Sequence, residues 1–444
     1  MIVIVGLGTA AVYATRWITA LNRDEEVTII EMHSYESYSP CGLPLTIENN
    51  LDFELLKHPF PKTKRINVML EHQVVEIEPS KRTLKVKDLK TEELKIVNYD
   101  KLFFVPGADP LIPPIKNISL FLNDGVYVLK TIEDGIKIEN YLKENLVSDI
   151  AVVGAGAIGL EIAYALKKRG YKVTVYEMLA QCFPKALDSD MVQYVEEFLK
   201  DKEIAVYLNS KVEEILLDQK LILVNGQKKN ADMVILATGV LPNSQLLKNK
   251  VSMFKNFIEV DEKMRTTDPY IYAAGDVIIT KNAVDQHGMI VQLATTAAKQ
   301  GIVAGINMAG GTATYNGAYG TFVSQMGDFE VATTGMSEEE VKQKFEVVTA
   351  KIKGTNKPEY AGGHSLALKV ICDKNGRVLG AQAVGKNAAD KINIISMAIK
   401  NKGTIQDLSS VELAYCPSVS ELYDVVHSVA DVLLRKLGWK EFNY

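Results

Sequence analysis

Cys41, in the run Tyr38-Ser-Pro-Cys-Gly-Leu-Pro44, is the residue of this 444-residue chain best suited to redox chemistry. A single cysteine is more often buried and inert. Gly42 and the two prolines read as a loop, not a core helix, which favours a reachable thiol. Pro44 suits the first position of a helix, which places Cys41 at the positive end of that helix dipole. This favours the thiolate, the reactive form of a thiol whose free pKa is about 8.5. The positions five residues to either side are Glu36 and Thr46, so no second cysteine at that spacing supplies an internal disulfide. A lone thiol of this kind cycles through a mixed disulfide, a persulfide or a sulfenic acid. Cys182, Cys372 and Cys416 lie far apart in the chain. They form neither a disulfide framework nor a metal-ligand spacing, as expected of a protein from a reducing cytoplasm. Cys182 and Cys372 read as structural; Cys416 either approaches the site or packs. The 6 histidines are scattered, and no metal is expected.

Two glycine turns would position a redox partner for that thiol. Ile2-Val-Ile-Val-Gly-Leu-Gly8 is a β-branched strand entering Gly6-x-Gly8-x-x-Ala11, followed by a helix from about Ala10 to Leu21 and a strand Val27-Thr-Ile-Ile-Glu31. The series returns as Ile150-Ala-Val-Val-Gly154, the turn Gly154-x-Gly156-x-x-Gly159, a helix to about Lys168 and Val173-Thr-Val-Tyr-Glu177. The first glycine permits the tight turn, the second lets backbone approach a pyrophosphate, and the third small residue lets helix pack on sheet. The helix N-terminus stabilises phosphate charge. Glu31 and Glu177 accept the ribose hydroxyls. One such turn could be an ordinary strand-to-helix connection; two complete copies predict two dinucleotides. Glu177 would repel a 2′-phosphate, and Met178-Leu-Ala-Gln181 offers no arginine to receive one, so NADH is favoured over NADPH at the second turn. Lys185 leaves NADPH possible. Ile271-Tyr-Ala-Ala-Gly-Asp-Val277 reads as a strand ending in an aspartate, Asp276, suited either to a ribityl chain or to a helix N-cap. Its place after two dinucleotide turns favours FAD.

Composition bounds the rest. Hydrophobic residues at 47% and charged residues at 24% are those of a globular protein with a large core, and the length predicts two to four domains. A net charge of −5 gives no strong field toward nucleic acid or anionic membrane. No run is apolar and long enough to span a bilayer, so no stable membrane insertion is expected. The opening Met1-Ile-Val-Ile-Val-Gly6 reads as a buried strand, not a signal peptide, and the protein is expected to be cytoplasmic.

Strands alternating with helices predict an α/β fold with parallel sheets. Phe103-Phe-Val-Pro-Gly-Ala108 and Ile235-Leu-Ala-Thr-Gly-Val240 echo each other as buried strands leading to small-residue turns, at Gly107 and Gly239. From about Tyr319 the pattern changes to short β runs, Phe329–Thr334, Phe345–Lys353, Leu366–Cys372 and Val378–Val384, with turns such as Lys374-Asn-Gly376. Helices are expected near Ala388–Asn401 and Ser420–Leu437. Together these read as an α+β domain with an antiparallel sheet.

These motifs resemble the pyridine nucleotide–disulfide oxidoreductases over essentially the whole chain. The residues that carry the resemblance are Gly6-x-Gly8-x-x-Ala11, Tyr99-Asp-Lys-Leu102 before Pro106-Gly-Ala108, the second glycine turn with Gly159-Leu-Glu161, Ala237-Thr-Gly239 and Ala274-Gly-Asp276. The lone Cys41 places the resemblance in the one-cysteine branch, which includes coenzyme A disulfide reductases, NADH oxidases, NADH peroxidases and persulfide reductases. Within it, Val384-Gly-Lys-Asn-Ala-Ala-Asp-Lys391, Glu412-Leu-Ala-Tyr-Cys-Pro417 and Tyr360 ahead of His364-Ser-Leu-Ala-Leu-Lys369 look most like coenzyme A disulfide reductase.

The resemblance implies two Rossmann-like dinucleotide-binding domains and a C-terminal α+β dimerisation domain. Residues 1–115 and 240–315 would bind FAD, 116–239 NAD(P)H, and 316–444 would form a homodimer. It implies that Leu293 and Ala294 contact FAD with Asp276 and Gly107, and that Ile158 and Glu161 lie near the nicotinamide. Tyr415 and Tyr360 would reach the active cysteine of the other subunit, where a phenol can donate to a leaving thiolate. Electrons would pass from NADH through the flavin to a disulfide joining Cys41 to a substrate thiol, with coenzyme A disulfide the favoured substrate. The oxidases and peroxidases carry a histidine after the first glycine turn, where this chain has Gly8-Thr-Ala-Ala11. Thr19 and Ala20 stand where coenzyme A disulfide reductases place phosphate-holding arginines; Arg16 and Arg23 lie a turn to either side. Three other readings compete. One takes oxygen, polysulfide or persulfide as acceptor through the same cysteine. Another is a membrane-surface quinone reductase anchored by Val429–Trp439, a segment that also fits an ordinary amphipathic helix. The third is a non-catalytic redox sensor.

Overall fold

The computed structural model describes residues 1–61 and 64–440. By internal contacts the chain divides into two compact units. The first is Met1–Gly42, Asp52–Pro110 and Val240–Ala318; the second is Leu43–Leu51, Leu111–Gly239 and Tyr319–Tyr444.

The first unit is built on a five-stranded parallel sheet. Its strands run in the order Ile271–Ala273, Lys101–Phe104, Ile2–Val5, Val27–Ile30 and Ile66–Met69. The run Ile-Val-Ile-Val at residues 2–5 is buried at every position, as expected of a central parallel strand covered on both faces. Phe103 and Phe104 fill the core beside it. The helix Thr9–Leu21 lies against the helix Ala294–Met308 through small residues. A Cβ added at Gly301 would come within 2.3 Å of Ala10 O, and one at Gly305 within 2.5 Å of Ala14 O, so only glycine allows this approach.

The second unit repeats the plan. Its parallel strands run Val126–Val128, Met233–Leu236, Asp149–Val153, Lys172–Tyr176 and Ala205–Tyr207. The same unit carries a five-stranded antiparallel sheet in the order Phe322–Met326, Phe329–Gly335, Val378–Gly385, Ser365–Asp373 and Val347–Thr355. Helices Ala388–Lys400 and Val425–Lys436 cover it. The α/β class with two Rossmann-like sheets and an antiparallel C-terminal domain is therefore the observed fold.

The last helix starts at Val425, five residues after the expected Ser420. Asp424 caps it, its side chain accepting from the Val426 N–H while His427 Nδ1 accepts from the Asp424 N–H. Val425, Val426, Val429, Ala430, Leu433 and Leu434 are buried, so its apolar face lies against protein, as an ordinary amphipathic helix requires. Among the described residues no helix is long and apolar enough to cross a membrane.

Candidate functional site

Cys41 is exposed, in the middle of a 3-10 turn, Pro40–Gly42. Within the first unit this turn is tied to the segment that follows residue 52. The Ser39 N–H donates to Leu56 O at 2.9 Å, and Ser39 Oγ lies 2.7 Å from His58 Nε2. A Cβ at position 42 would come within 2.5 Å of Leu56 Cδ2, so a larger residue there would have to displace that side chain. The helix after the turn begins at Leu43, not Pro44, and ends at Glu48. Six residues align few peptide dipoles, and Cys41 precedes them by a separate turn. The helix dipole therefore does less for this thiol than the position of Pro44 implied.

The two glycine turns match atom for atom. In the first unit the Gly6 N–H donates to Ile30 O at 2.9 Å, and in the second the Gly154 N–H donates to Tyr176 O at 2.8 Å. Both glycines need a positive φ, +91° and +109°. A Cβ on either would meet a carbonyl, Val105 O at 2.6 Å or Ala237 O at 2.4 Å. Gly8 and Gly156 begin their helices with φ, ψ of −80°, −172° and −82°, −172°, and neither helix has a side-chain N-cap. A Cβ at either of these two positions would have nothing within 4 Å. Uncapped helix N–H groups beside open space fit the pyrophosphate of a dinucleotide. At the third position Ala11 is buried, and a Cβ on Gly159 would lie 2.0 Å from Gly154 O.

The acids at the ends of the second strands also correspond. Glu31 accepts from the Leu7 N–H at 2.7 Å and the His33 N–H at 2.9 Å; Glu177 accepts from the Ala155 N–H and the Leu179 N–H, both at 2.8 Å. Each carboxylate is thus locked to its own glycine turn, with lone pairs left for a ribose hydroxyl.

The other residues expected at the site lie as follows within their units. In the first, Asp276 is in a 3-10 turn, Gly275–Val277, whose Gly275 N–H donates to Gln300 Oε1 at 2.8 Å. Gln300 belongs to the helix that Leu293 and Ala294 begin, again with no side-chain cap. Its Nε2 is buried without a hydrogen-bond partner, a donor suited to a bound group or water. Gly107 has φ +73° and a Cβ there would meet nothing. In the second unit Gly239, at φ +101°, is equally open. Ile158 is exposed one residue before Gly159, and Glu161 is held by the C-terminal sheet, accepting from Ser324 Oγ at 2.6 Å. Burial raises the Glu161 pKa, and the bonds from Ser324 and the Gln325 N–H act against that rise. Gln300 and Ser324 carry no sequence motif; only the fold brings them to these groups.

Tyr360 and Tyr415 are 81% and 45% exposed in the second unit. Partial burial, then the neighbouring Tyr360 and Cys416, raise the Tyr415 pKa. Cys416 is exposed, 3.2 Å from Ser418 Oγ, and that hydroxyl lowers its thiol pKa. Cys182 and Cys372 are buried, and burial pushes each thiol up to about 12.

A dinucleotide turn with its acid in each of two units, together with an exposed cysteine in a fixed turn of the first, defines a class of two-dinucleotide redox enzymes. The chain matches the pyridine nucleotide-disulphide oxidoreductase family over residues 1–301 and its dimerisation domain over residues 323–426, and it belongs to that family. It is thus an NAD(P)H-dependent flavoprotein oxidoreductase. It is 36% identical over 449 residues to an NADH oxidase of Methanocaldococcus jannaschii, covering 99% of each chain. It is 33% identical to an NAD(P)H sulfur oxidoreductase (CoA-dependent) of Pyrococcus furiosus, covering 97% of this chain and 98% of the other. The solved structure of reduced Bacillus anthracis CoADR-RHD superimposes with a TM-score of 0.93 at 29% identity, covering 98% of this chain and 80% of that one.

Proposed function

We propose that this protein reduces a small disulfide or persulfide, with coenzyme A disulfide as the leading substrate, using NADH and the single thiol of Cys41. One observation carries the reading: of the two exposed thiols, Cys41 and Cys416, Cys41 is the one in the unit of the first dinucleotide turn, in a turn held by its neighbours, whereas Cys182 and Cys372 are buried and their thiols pushed up to about 12. The CoA-dependent sulfur reductase among its relatives supports the substrate class. Gly6, Gly8, Ala11, Glu31, Gly107, Asp276, Leu293 and Ala294 would hold FAD, and Gly154, Gly156, Ile158, Gly159, Glu161, Glu177 and Gly239 would hold NADH; when bound, the two would supply an electron pair. The Cys41 thiolate attacks the substrate disulfide, forms a mixed disulfide and expels one thiolate. Two electrons and a proton then release the second thiol and restore Cys41, so that NADH, a proton and one disulfide become NAD⁺ and two thiols. Tyr415, with Tyr360, donates to the departing thiolate. The match to a dimerisation domain supports action as a homodimer, and the division 1–115 with 240–315, 116–239 and 316–444 is kept as the domain plan.

The resemblance to an NADH oxidase favours a second reading in which oxygen is the acceptor and Cys41 cycles through a sulfenic acid. Intact-mass analysis of the as-purified protein, with NADH consumption measured against coenzyme A disulfide, polysulfide and oxygen, separates the two. A dithiothreitol-reversible coenzyme A adduct on Cys41, and disulfide turnover abolished in Cys41→Ser, are expected. A sulfenic acid with oxygen turnover would replace the first reading by the second. Turnover that survives Cys41→Ser with every acceptor would remove both.

A further inference from the structure

The chain passes from the first unit to the second at Gly42, one residue after Cys41, and back after Leu51. The helix Leu43–Glu48 that immediately follows the cysteine turn makes its contacts in the second unit, with the helices Ala157–Lys168 and Ile132–Glu144. Its Leu43, Pro44, Thr46 and Ile47 are buried. Its far end is held by a guanidinium. Arg169 Nη1 donates to Ile47 O at 3.3 Å, and the same group forms a two-pronged pair with Glu139: Nη1 to Oε1, and Nη2 to Oε2 at 3.1 Å. Glu139 is buried, and Arg169 stands at the C-terminal end of the second dinucleotide helix. A second tie runs from Lys168 Nζ to Glu48 Oε1 at 2.7 Å and to Asn49 Oδ1 at 3.3 Å.

A six-residue helix is too short to hold itself, since nucleation costs several fixed dihedrals for each first hydrogen bond. Its last carbonyls accept from the N–H groups that follow, Asn50 to Ile47 O at 3.3 Å and Leu51 to Thr46 O at 2.9 Å; a cation at that end adds a charged donor to the long bond at Ile47 O and opposes the negative end of the dipole. Arginine suits the place because its planar fork can grip a carboxylate and a carbonyl together. The geometry points to Arg169 as a positioning residue for Cys41: by fixing the end of the Leu43–Glu48 helix to Glu139, it holds the turn that presents the thiol. This rests on the reading of Cys41 as the redox thiol. Arg169 bonds to Ile47 and Glu139 and not to the thiol, so its effect should fall on steps that need Cys41 and spare the passage of electrons from NADH.

The test compares two acceptors in the flavin-loaded enzyme. One is whichever of coenzyme A disulfide, polysulfide or oxygen depends on Cys41. The other is ferricyanide, a one-electron oxidant that needs no thiol. Arg169→Leu alone would strand the buried Glu139 carboxylate and threaten folding. The informative variant therefore replaces both partners, Arg169→Leu with Glu139→Leu, and its melting temperature is checked. The expected result is a kcat with the Cys41-dependent acceptor lower by roughly ten- to hundred-fold, the scale of a small misplacement of a reacting group. KM for NADH and ferricyanide turnover should be unchanged. An equal loss with both acceptors, or no loss with either, overturns the inference while leaving Cys41 as the redox thiol. Should Cys41→Ser turn over every acceptor like the wild type, the functional reading falls first and this inference with it.

Discussion

Ser324 Oγ donates a 2.6 Å hydrogen bond to Glu161 Oε1, joining the strand Phe322–Met326 of the C-terminal sheet to the helix that opens the second dinucleotide turn. The two residues are 163 apart in sequence. Partial burial of the Glu161 carboxyl disfavours its charge and holds its pKa above the ordinary glutamate value of 4.5.

That shift gives stability a pH dependence of known sign. From about pH 4.5 up to the raised native value the folded protein binds more protons at Glu161 than the unfolded chain does, so this group's contribution falls as pH rises through that window. Glu161→Gln, which keeps an acceptor for Ser324 and cannot ionise, should lose less stability between pH 4.5 and pH 8 than the wild type. Ser324→Ala removes a bond that favours the ionised form, and should cost about 1–2 kcal/mol more at pH 8 than at pH 4.5. Denaturant melts at the two pH values check both; identical pH profiles in all three proteins would rule out an ionising Glu161.

The glycine turns predict a contrast between two alanine substitutions three residues apart. A methyl at Gly159 would collide with Gly154 O, so Gly159→Ala should shift the turn and destabilise the fold by roughly 1–3 kcal/mol. A methyl at Gly156 meets no protein atom and needs no unusual φ, so Gly156→Ala should fold with a near-normal melting temperature. Its methyl would occupy the space left for a pyrophosphate, and NADH affinity should drop sharply while bound flavin is retained. Flavin content, melting temperature and NADH titration separate the cases. Unchanged NADH affinity in Gly156→Ala would mean the space is not the phosphate site.

What was legible in the sequence is what is local. The turns at Gly6 and Gly154, and the acids Glu31 and Glu177, follow one another within about thirty residues, and backbone geometry dictates their types. The ties between distant segments are not local. Arg169 reaches Ile47 across 122 positions, and a serine or an arginine at a helix or strand end carries no signal of its partner. The errors were also local in origin. The helix after Cys41 opens at Leu43, one residue before Pro44, and the last helix opens at Val425 instead of the expected Ser420. Asp424 stops the helix there with a histidine, where the usual box has glutamate or glutamine.

A buried cation predicts a large and specific loss. Lys369 is 1% exposed, and its ammonium lies 3.0 Å from Asp188, 2.7 Å from Asp190 and 2.6 Å from Glu338. It thereby joins the start of the helix Ser189–Asp201 to the antiparallel sheet. Burial alone would raise the pKa of Asp190 and Glu338, but the bonds to Asp190 from Lys369 and Lys351, and to Glu338 from Lys342 and Lys369, outweigh it and both are lowered. Their contribution is present above the unfolded values of 3.8 and 4.5 and is lost as pH falls through the lowered native values. Lys369→Met should cost about 3–5 kcal/mol at pH 7 by stranding the buried Asp188 carboxylate. It should also lose less further stability on acidification than the wild type does. A cost near zero at neutral pH would show that the carboxylates find other partners.

The four thiols should label in two classes. Cys182 and Cys372 are buried, with thiols pushed up to about 12, so in the native protein at pH 7.5 they should resist iodoacetamide. Cys41 and Cys416 are exposed and should react, giving two adducts on the native protein and four after denaturation. The Ser418 hydroxyl lowers the Cys416 pKa, so Ser418→Ala should slow labelling of Cys416 and leave Cys41 unchanged. Peptide mapping by mass spectrometry reads each site separately. Rapid native labelling of Cys182 or Cys372 would contradict the burial on which the choice of Cys41 depends, whereas slow labelling of Cys41 alone would point to a thiol already carrying a reversible adduct. Dithiothreitol treatment before labelling distinguishes that case, because a mixed disulfide is released and a buried thiol is not.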